Sequence, residues 1–240
     1  MPTSNVVTTA IEEIRRSRGY NHPFLVQLHS APMIYAAAVE FAAQWYKAAS
    51  AHKKSFPGLI YNTPDDRIRL QLIEILREEY GYGDEDRIHS KILQKFLRAL
   101  NLQTEFVFSM PTEPEIAAFA CELDEAWLYG EPIKGFGIHF ALEYLAANMQ
   151  SAFFVGVQTL GLYPEDIEYF QLHNVAEPEH AKLAADGMVY LATNQQTRAQ
   201  LLDGVRDGAR LITLLLDGLH HAYQRAIASS GQKIKIGSPA

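Results

Sequence analysis

The sequence predicts an all-α protein: a single helical domain over residues 1–240, with seven to eight helices and a polar tail at about 230–240. Three observations lead there. Apolar residues recur at helical spacing along most of the chain. Alternating strand patterns bounded by hairpin turns are absent, as are repeats and low-complexity segments. No linker long enough to separate two domains interrupts the 240 residues.

The elements follow in order. "MPTSNVVTTAIEEIRRSRG" reads as a polar lead-in and then helix, with no signal-peptide core. From Pro32 to Lys53, Ile34, Ala38, Phe41 and Trp45 fall on one stripe. "TPDDRIRLQLIEILREEYG" is a helix opened by Thr63 and Pro64 and closed near Gly81. The next starts in "DEDRIHSKILQKFLRALNL", with Asp84 or Asp86 as N-cap and Ile88, Ile92, Phe96 and Leu100 as core face. Further helices are expected at 113–127, 135–161, 164–174, 178–192 and from Gln195 to Ala228. The last carries the stripe Leu201, Val205, Ile212, Leu215 and Leu219. Pro178 is expected to kink or restart the chain between the two helices around it.

Bulk properties narrow the function classes. With 48% hydrophobic and 20% charged residues the composition is ordinary for a globular protein. A net charge of -7, without a basic run longer than two residues, argues against a nucleic-acid partner. The longest uncharged run, Tyr144 to Pro164, carries Asn148, Gln150, Ser151, Gln158 and Thr159, too polar for a membrane span. One cysteine, Cys121, excludes an internal disulfide and fits a reducing compartment, so a cytoplasmic location is expected. On the helix "AAFACELDEAW" it reads as core packing.

Glu143 is the only formal charge between Lys134 and Glu165, on a helix apolar on nearly all sides. A buried carboxylate must be neutralised, paired or bound to metal. The bland alternative is pairing with Arg206 or Arg210, which themselves follow Asp203 and Asp207 by three residues and read as surface ion pairs. "FQLHNVAEPEHAK" places His173, Glu177 and His180 within roughly 60° on an ideal helix, an arrangement open to a ligand set or to a solvated face. Glu78 and His89 flank the glycine turn of "EEYGYGDEDRIH", where a helical corner can bring them together. Glu79 and His139 are the nearest competitors. The six make three carboxylates and three histidines without sulfur, a donor set suited to iron or manganese with open positions.

In this order the residues resemble the haem-oxygenase-like diiron oxidases along most of the chain. "NHPFLVQLHSAP" is similar to their early segment and "FAAQWY" to the long helix after it. Then come "EEYG…IHSKILQKFLRALNL", the central glutamate of "FALEYLAA", and a histidine, an acid and a histidine spaced four and three. The resemblance implies metal ligands Glu78, His89, Glu143, His173, Glu177 and His180, though the family more often has aspartate where this chain has Glu177. It implies a haem-oxygenase-like bundle and a non-haem oxidoreductase with two Fe(II) per chain and O2 as co-substrate. The substrate class it implies is a small carboxylate-bearing metabolite of specialised metabolism, such as an amino acid or its derivative. N-oxygenation, oxidative decarboxylation, C–C cleavage and nitrile formation are the reactions known among such enzymes. A homodimer is the candidate assembly. The competing expectations are a non-catalytic metal- or ligand-binding protein, and a cofactor-independent oxidase or thiaminase-type enzyme of the same fold.

Overall fold

The computed structural model describes residues 4–236. Ten α-helices lie among them: α1 (Ser4–Arg16), α2 (Pro23–Ser30), α3 (Tyr35–Asn62), α4 (Asp66–Glu79), α5 (His89–Ala99), α6 (Thr104–Ser109), α7 (Pro114–Asp124), α8 (Pro132–Gln158), α9 (Glu168–Leu191) and α10 (Gln195–Ile236). The count exceeds the expected seven to eight because α2 and α6, at 8 and 6 residues, are too short to show a period. In the other direction, the expected helices on either side of Pro178 are one helix. Proline removes a single amide donor, and α9 buries Phe170, His173, Glu177, His180 and Ala184 on one face across it. Tertiary packing outweighs the local defect.

Helix α8 is the axis. It packs against α10 on one side and α9 on the other, while α3 closes the bundle against α10. Sixteen of its residues are buried, from Gly135 to Val157, as an all-round apolar helix requires. The predicted stripe of α10 is entirely inside, with Leu201, Val205 and Leu219 at 0% exposure. No helix among the described residues is long and apolar enough to cross a membrane.

The α8–α10 crossing is set by missing side chains. A Cβ at Gly204 would lie 2.0 Å from the Lys134 carbonyl oxygen, and one at Gly137 would lie 2.2 Å from that of Leu201. Backbone is met here, and backbone cannot rotate away. Gly204→Ala is therefore expected to push the two helices apart, costing about 1–3 kcal/mol and lowering the melting temperature by several degrees in thermal unfolding. An unchanged midpoint would show that the crossing tolerates the methyl group.

Two local features place the site. Asp65 caps α4 by accepting from the amides of Arg67 and Ile68, so the cap falls inside the expected Thr63–Pro64 opening. At the other end the chain turns through Gly81 and Gly83, at φ of 63° and 95°. A Cβ at Gly81 would meet the Arg87 backbone at 2.7 Å, so only glycine lets the turn fold back on itself. Asp84 caps a short 3₁₀ turn, Glu85–Arg87, rather than the helix; α5 begins at His89. His89 thus enters the core directly beside the end of α4.

Candidate metal centre

Helices α3, α4, α5, α8 and α9 direct polar side chains into one internal cavity between otherwise apolar walls. Two groups of three potential ligands stand there, each with its donor atoms mutually within 4.8 Å: Glu79, His89 and His173, and Glu143, Glu177 and His180. All but Glu79, which is half-buried, are buried, and all six line the cavity.

In the first group, His89 Nδ1 lies 2.9 Å and His173 Nε2 lies 3.5 Å from Glu79 Oε1. His173 Nδ1 donates to the Tyr169 carbonyl at 2.8 Å, which turns Nε2 toward Glu79. Burial alone would raise the Glu79 carboxyl, but hydrogen bonds from His173 and His89 hold it well below its ordinary range.

In the second group, His180 Nδ1 lies 3.6 Å from Glu143 and 3.9 Å from Glu177. Its Nε2 lies 3.1 Å from Glu78 Oε2. The ring thus turns one nitrogen toward the two buried carboxylates and the other toward Glu78 at the rim. Burial would lower His180, yet the carboxylates of Glu143, Glu78 and Glu177 carry it to about 11. Glu143 is pushed up by burial but brought to about 2 by His139 and His180. Glu177 is driven well above its ordinary value by burial and by the neighbouring Glu143 carboxylate. A cation between these carboxylates would offset both costs, so the donor set fits a metal ion.

The family resemblance implied Glu78 as a ligand, with Glu79 its nearest competitor; the structure groups Glu79 with His89 and His173, and sets Glu78 against His180 Nε2. One residue is 100° of helix, enough to turn a side chain from core to rim. The signal was present. Ile68, Leu72 and Ile75 are the buried stripe of α4, and the same 4,3,4 spacing continues to Glu79.

His52 was missed as well. It continues the α3 stripe through Phe41, Trp45 and Ala48, and lines the cavity with its ring stacked on Phe56. Trp127, on a π-helical turn after α7, closes edge-on against His52 and donates its indole N–H to Gly135 O. Trp45 and Tyr46 are buried and line the cavity too.

His139, one turn before Glu143, has Nδ1 3.3 Å from Glu143 Oε1. Full burial against Phe56 and Phe136 takes it down to about 4. Its ordinary value is 6.5, so between the two the unfolded chain binds a proton that the folded one refuses. That stability is complete above pH 6.5 and lost as pH falls toward 4, at up to roughly 1.4 kcal/mol per pH unit. Buried His22 and half-buried His52 and His220 are lowered by burial in the same sense. Urea midpoints of metal-free protein should fall less steeply below pH 6.5 in His139→Gln than in the parent; parallel curves would exclude His139 as a source.

Arg206 and Arg210 stay outside. Arg206 pairs with Glu13 and Asp203, and Arg210 with Glu122, while Asp207 takes Lys134 at 2.6 Å. Cys121 corrects the expectation of core packing: Ile116, Phe119 and Leu123 form the buried face of α7, and Cys121 is exposed on the other.

Structural comparison finds the same fold at low identity. A TenA homologue from Pseudomonas syringae superposes with a TM-score of 0.73 at 13% identity, covering 91% of this chain and 92% of that one. A CADD-like protein of unknown function from Nostoc punctiforme gives 0.75 at 14% identity, covering 94% and 98%. A domain of unknown function with a heme oxygenase-like fold from Shewanella denitrificans gives 0.63 at 17% identity, covering 92% and 91%. No curated protein is significantly similar in sequence. Residues 39–213, which contain both ligand groups, match the description of a family named as iron-containing redox enzymes. With that span covering most of the chain and a donor set of buried carboxylates and imidazoles, the protein belongs to the iron-containing redox enzyme family with a haem-oxygenase-like fold.

Proposed function

We propose that the protein is a non-haem diiron enzyme that uses O2 to oxidise a small carboxylate-bearing metabolite, an amino acid or amino-acid derivative being the leading class. The observation that carries this is the pair of adjacent triads facing one apolar cavity. Glu79, His89 and His173 would hold one Fe(II), and Glu143, Glu177 and His180 the other. The iron supplies the binding and reduction of O2. The chain's own residues do the rest. Glu78 orients His180 through Nε2, as carboxylates commonly do for ligating imidazoles. Phe56, Leu142 and Leu93 keep the chamber apolar. Lys53, the one lysine or arginine among the described lining residues, is held by Ser90 at 2.9 Å and over the Tyr80 ring, and would meet a substrate carboxylate.

A thiaminase-type reaction of this fold would need a cysteine nucleophile, and exposed Cys121 is not among the cavity residues. A non-catalytic metal binder would share the iron but not the turnover. The test is O2 consumption by anaerobically Fe(II)-loaded protein challenged with a panel of amino and fatty acids. One panel member should accelerate uptake, and His180→Ala should abolish that acceleration with the helical CD signal intact. Iron binding without accelerated uptake across the panel would favour the non-catalytic reading; loss of helix in the variant would assign His180 a structural role.

A further inference from the structure

His52 lines the cavity from α3, half-buried, and its nitrogens find no hydrogen-bond or ion-pair partner among the described residues. Aromatic rings hold it instead. Its ring stacks on Phe56 at 5.7 Å and 20°, and Trp127 meets it at 5.3 Å and 67°. The other histidines of the interior differ. His22 is paired with Asp217, His89 with Glu79, His139 with Glu143, His173 with the Tyr169 carbonyl and His180 with Glu78. A polar ring set in an apolar wall is normally matched by a partner, as those five are. At His52 the match is left to something that enters the cavity.

Position narrows what that is. His52 belongs to neither ligand group, whose donor atoms lie within 4.8 Å of one another, so its nitrogens are placed for a guest molecule and not for either ion. Glu143, Glu79 and His173 are nonetheless near enough to act on its ring. Burial holds the imidazole below its ordinary value, so near neutral pH it offers one N–H and one lone pair. A substrate carboxylate set against it would face the carboxylates of Glu143 and Glu79; an amine N–H would be favoured by them and could bond the lone pair. The carboxylate has a better place beside Lys53, the next residue of α3, which also lines the cavity. With a cavity volume of about 110 Å³, against about 150 Å³ for one that takes benzene, the two groups belong to one small molecule.

We infer that His52 is the specificity residue for an amine of the substrate, accepting a hydrogen bond from its N–H while the substrate carboxylate meets Lys53, so that the chamber selects a short amino acid over the corresponding simple acid. Phe56 and Trp127 fix the imidazole for this role by packing against its ring. The inference rests on reading the cavity as the substrate chamber of the proposed oxidase, and narrows its substrate from carboxylates at large to small amino acids.

The test is an NMR titration of metal-free protein, its histidine ring nitrogens isotopically labelled, with L-alanine, L-lactate and isobutyrate. The three share a carboxylate and a size, and carry beside it an ammonium, a hydroxyl or a methyl group. Near neutral pH, alanine is expected to bind roughly tenfold more tightly than isobutyrate, with lactate between them, and to shift the His52 ring signals. His52→Phe keeps both aromatic contacts; it should bring alanine and isobutyrate within about twofold of each other and melt no lower than the parent. His52→Gln, which keeps an acceptor, should retain part of the preference, and Lys53→Met should weaken all three alike. Equal binding of the three by the parent, or a preference that survives His52→Phe, overturns the proposal. So does lactate matching alanine, or a His52→Phe variant that loses the preference only together with its thermal stability. Iron content of the same preparations after Fe(II) loading reports on the diiron reading separately: protein that takes up no iron yet prefers alanine through His52 would refute that reading and leave the subsite standing.

Discussion

Glu143→Ala is expected to cut iron retention from two ions per chain to one at most. Glu143 is the only acid on the buried length of α8, and it faces both His180 and His139. Removing it leaves Glu177 and His180, two donors where the second ion needs three or more from protein. Elemental analysis after anaerobic Fe(II) loading and desalting reads the result, and CD guards against a folding defect. The same iron content in parent and variant would remove Glu143 from the ligand set. A buried carboxylate retained only to neutralise His180 would leave metal content unchanged but lower the variant's stability, so the two roles part cleanly.

The second large effect separates neighbours. Glu79→Ala should empty the His89–His173 group, since those two imidazoles share only that carboxylate. Glu78→Ala should keep both ions under saturating iron and lose roughly 10–100-fold in affinity or turnover, the usual cost of removing an orienting partner from a ligating histidine. Competition with a chelator during loading ranks the two variants. If Glu78→Ala sheds more iron than Glu79→Ala, the register deduced from the structure is wrong and the ligand on α4 is the first glutamate of the pair.

The all-helical class and the long elements were legible without coordinates, because each leaves a local mark; the ligand set came as what the family resemblance implied, and five of its six residues fall in the two groups. An apolar period reports which face is buried, and a charge that breaks it, as Glu143 breaks that of α8, is conspicuous. The same logic extended along α4 and α3 would have selected Glu79 and His52, which continue buried stripes, over Glu78, which leaves one. The two short helices left no period to detect.

Other properties had no local mark. Pro178 argues for a break that the buried face of α9 overrides, and Cys121 looks apolar yet lies opposite Ile116 and Phe119. The pairing of His180 Nε2 with Glu78 joins residues 102 apart in the chain. Sequence by itself determined which side chains must leave water, since that depends on composition and period along one helix. Which of them meet was decided by tertiary structure. Those outcomes depend on the distances and rotations between helices, and here glycine contacts such as Gly137 against Gly204 set them.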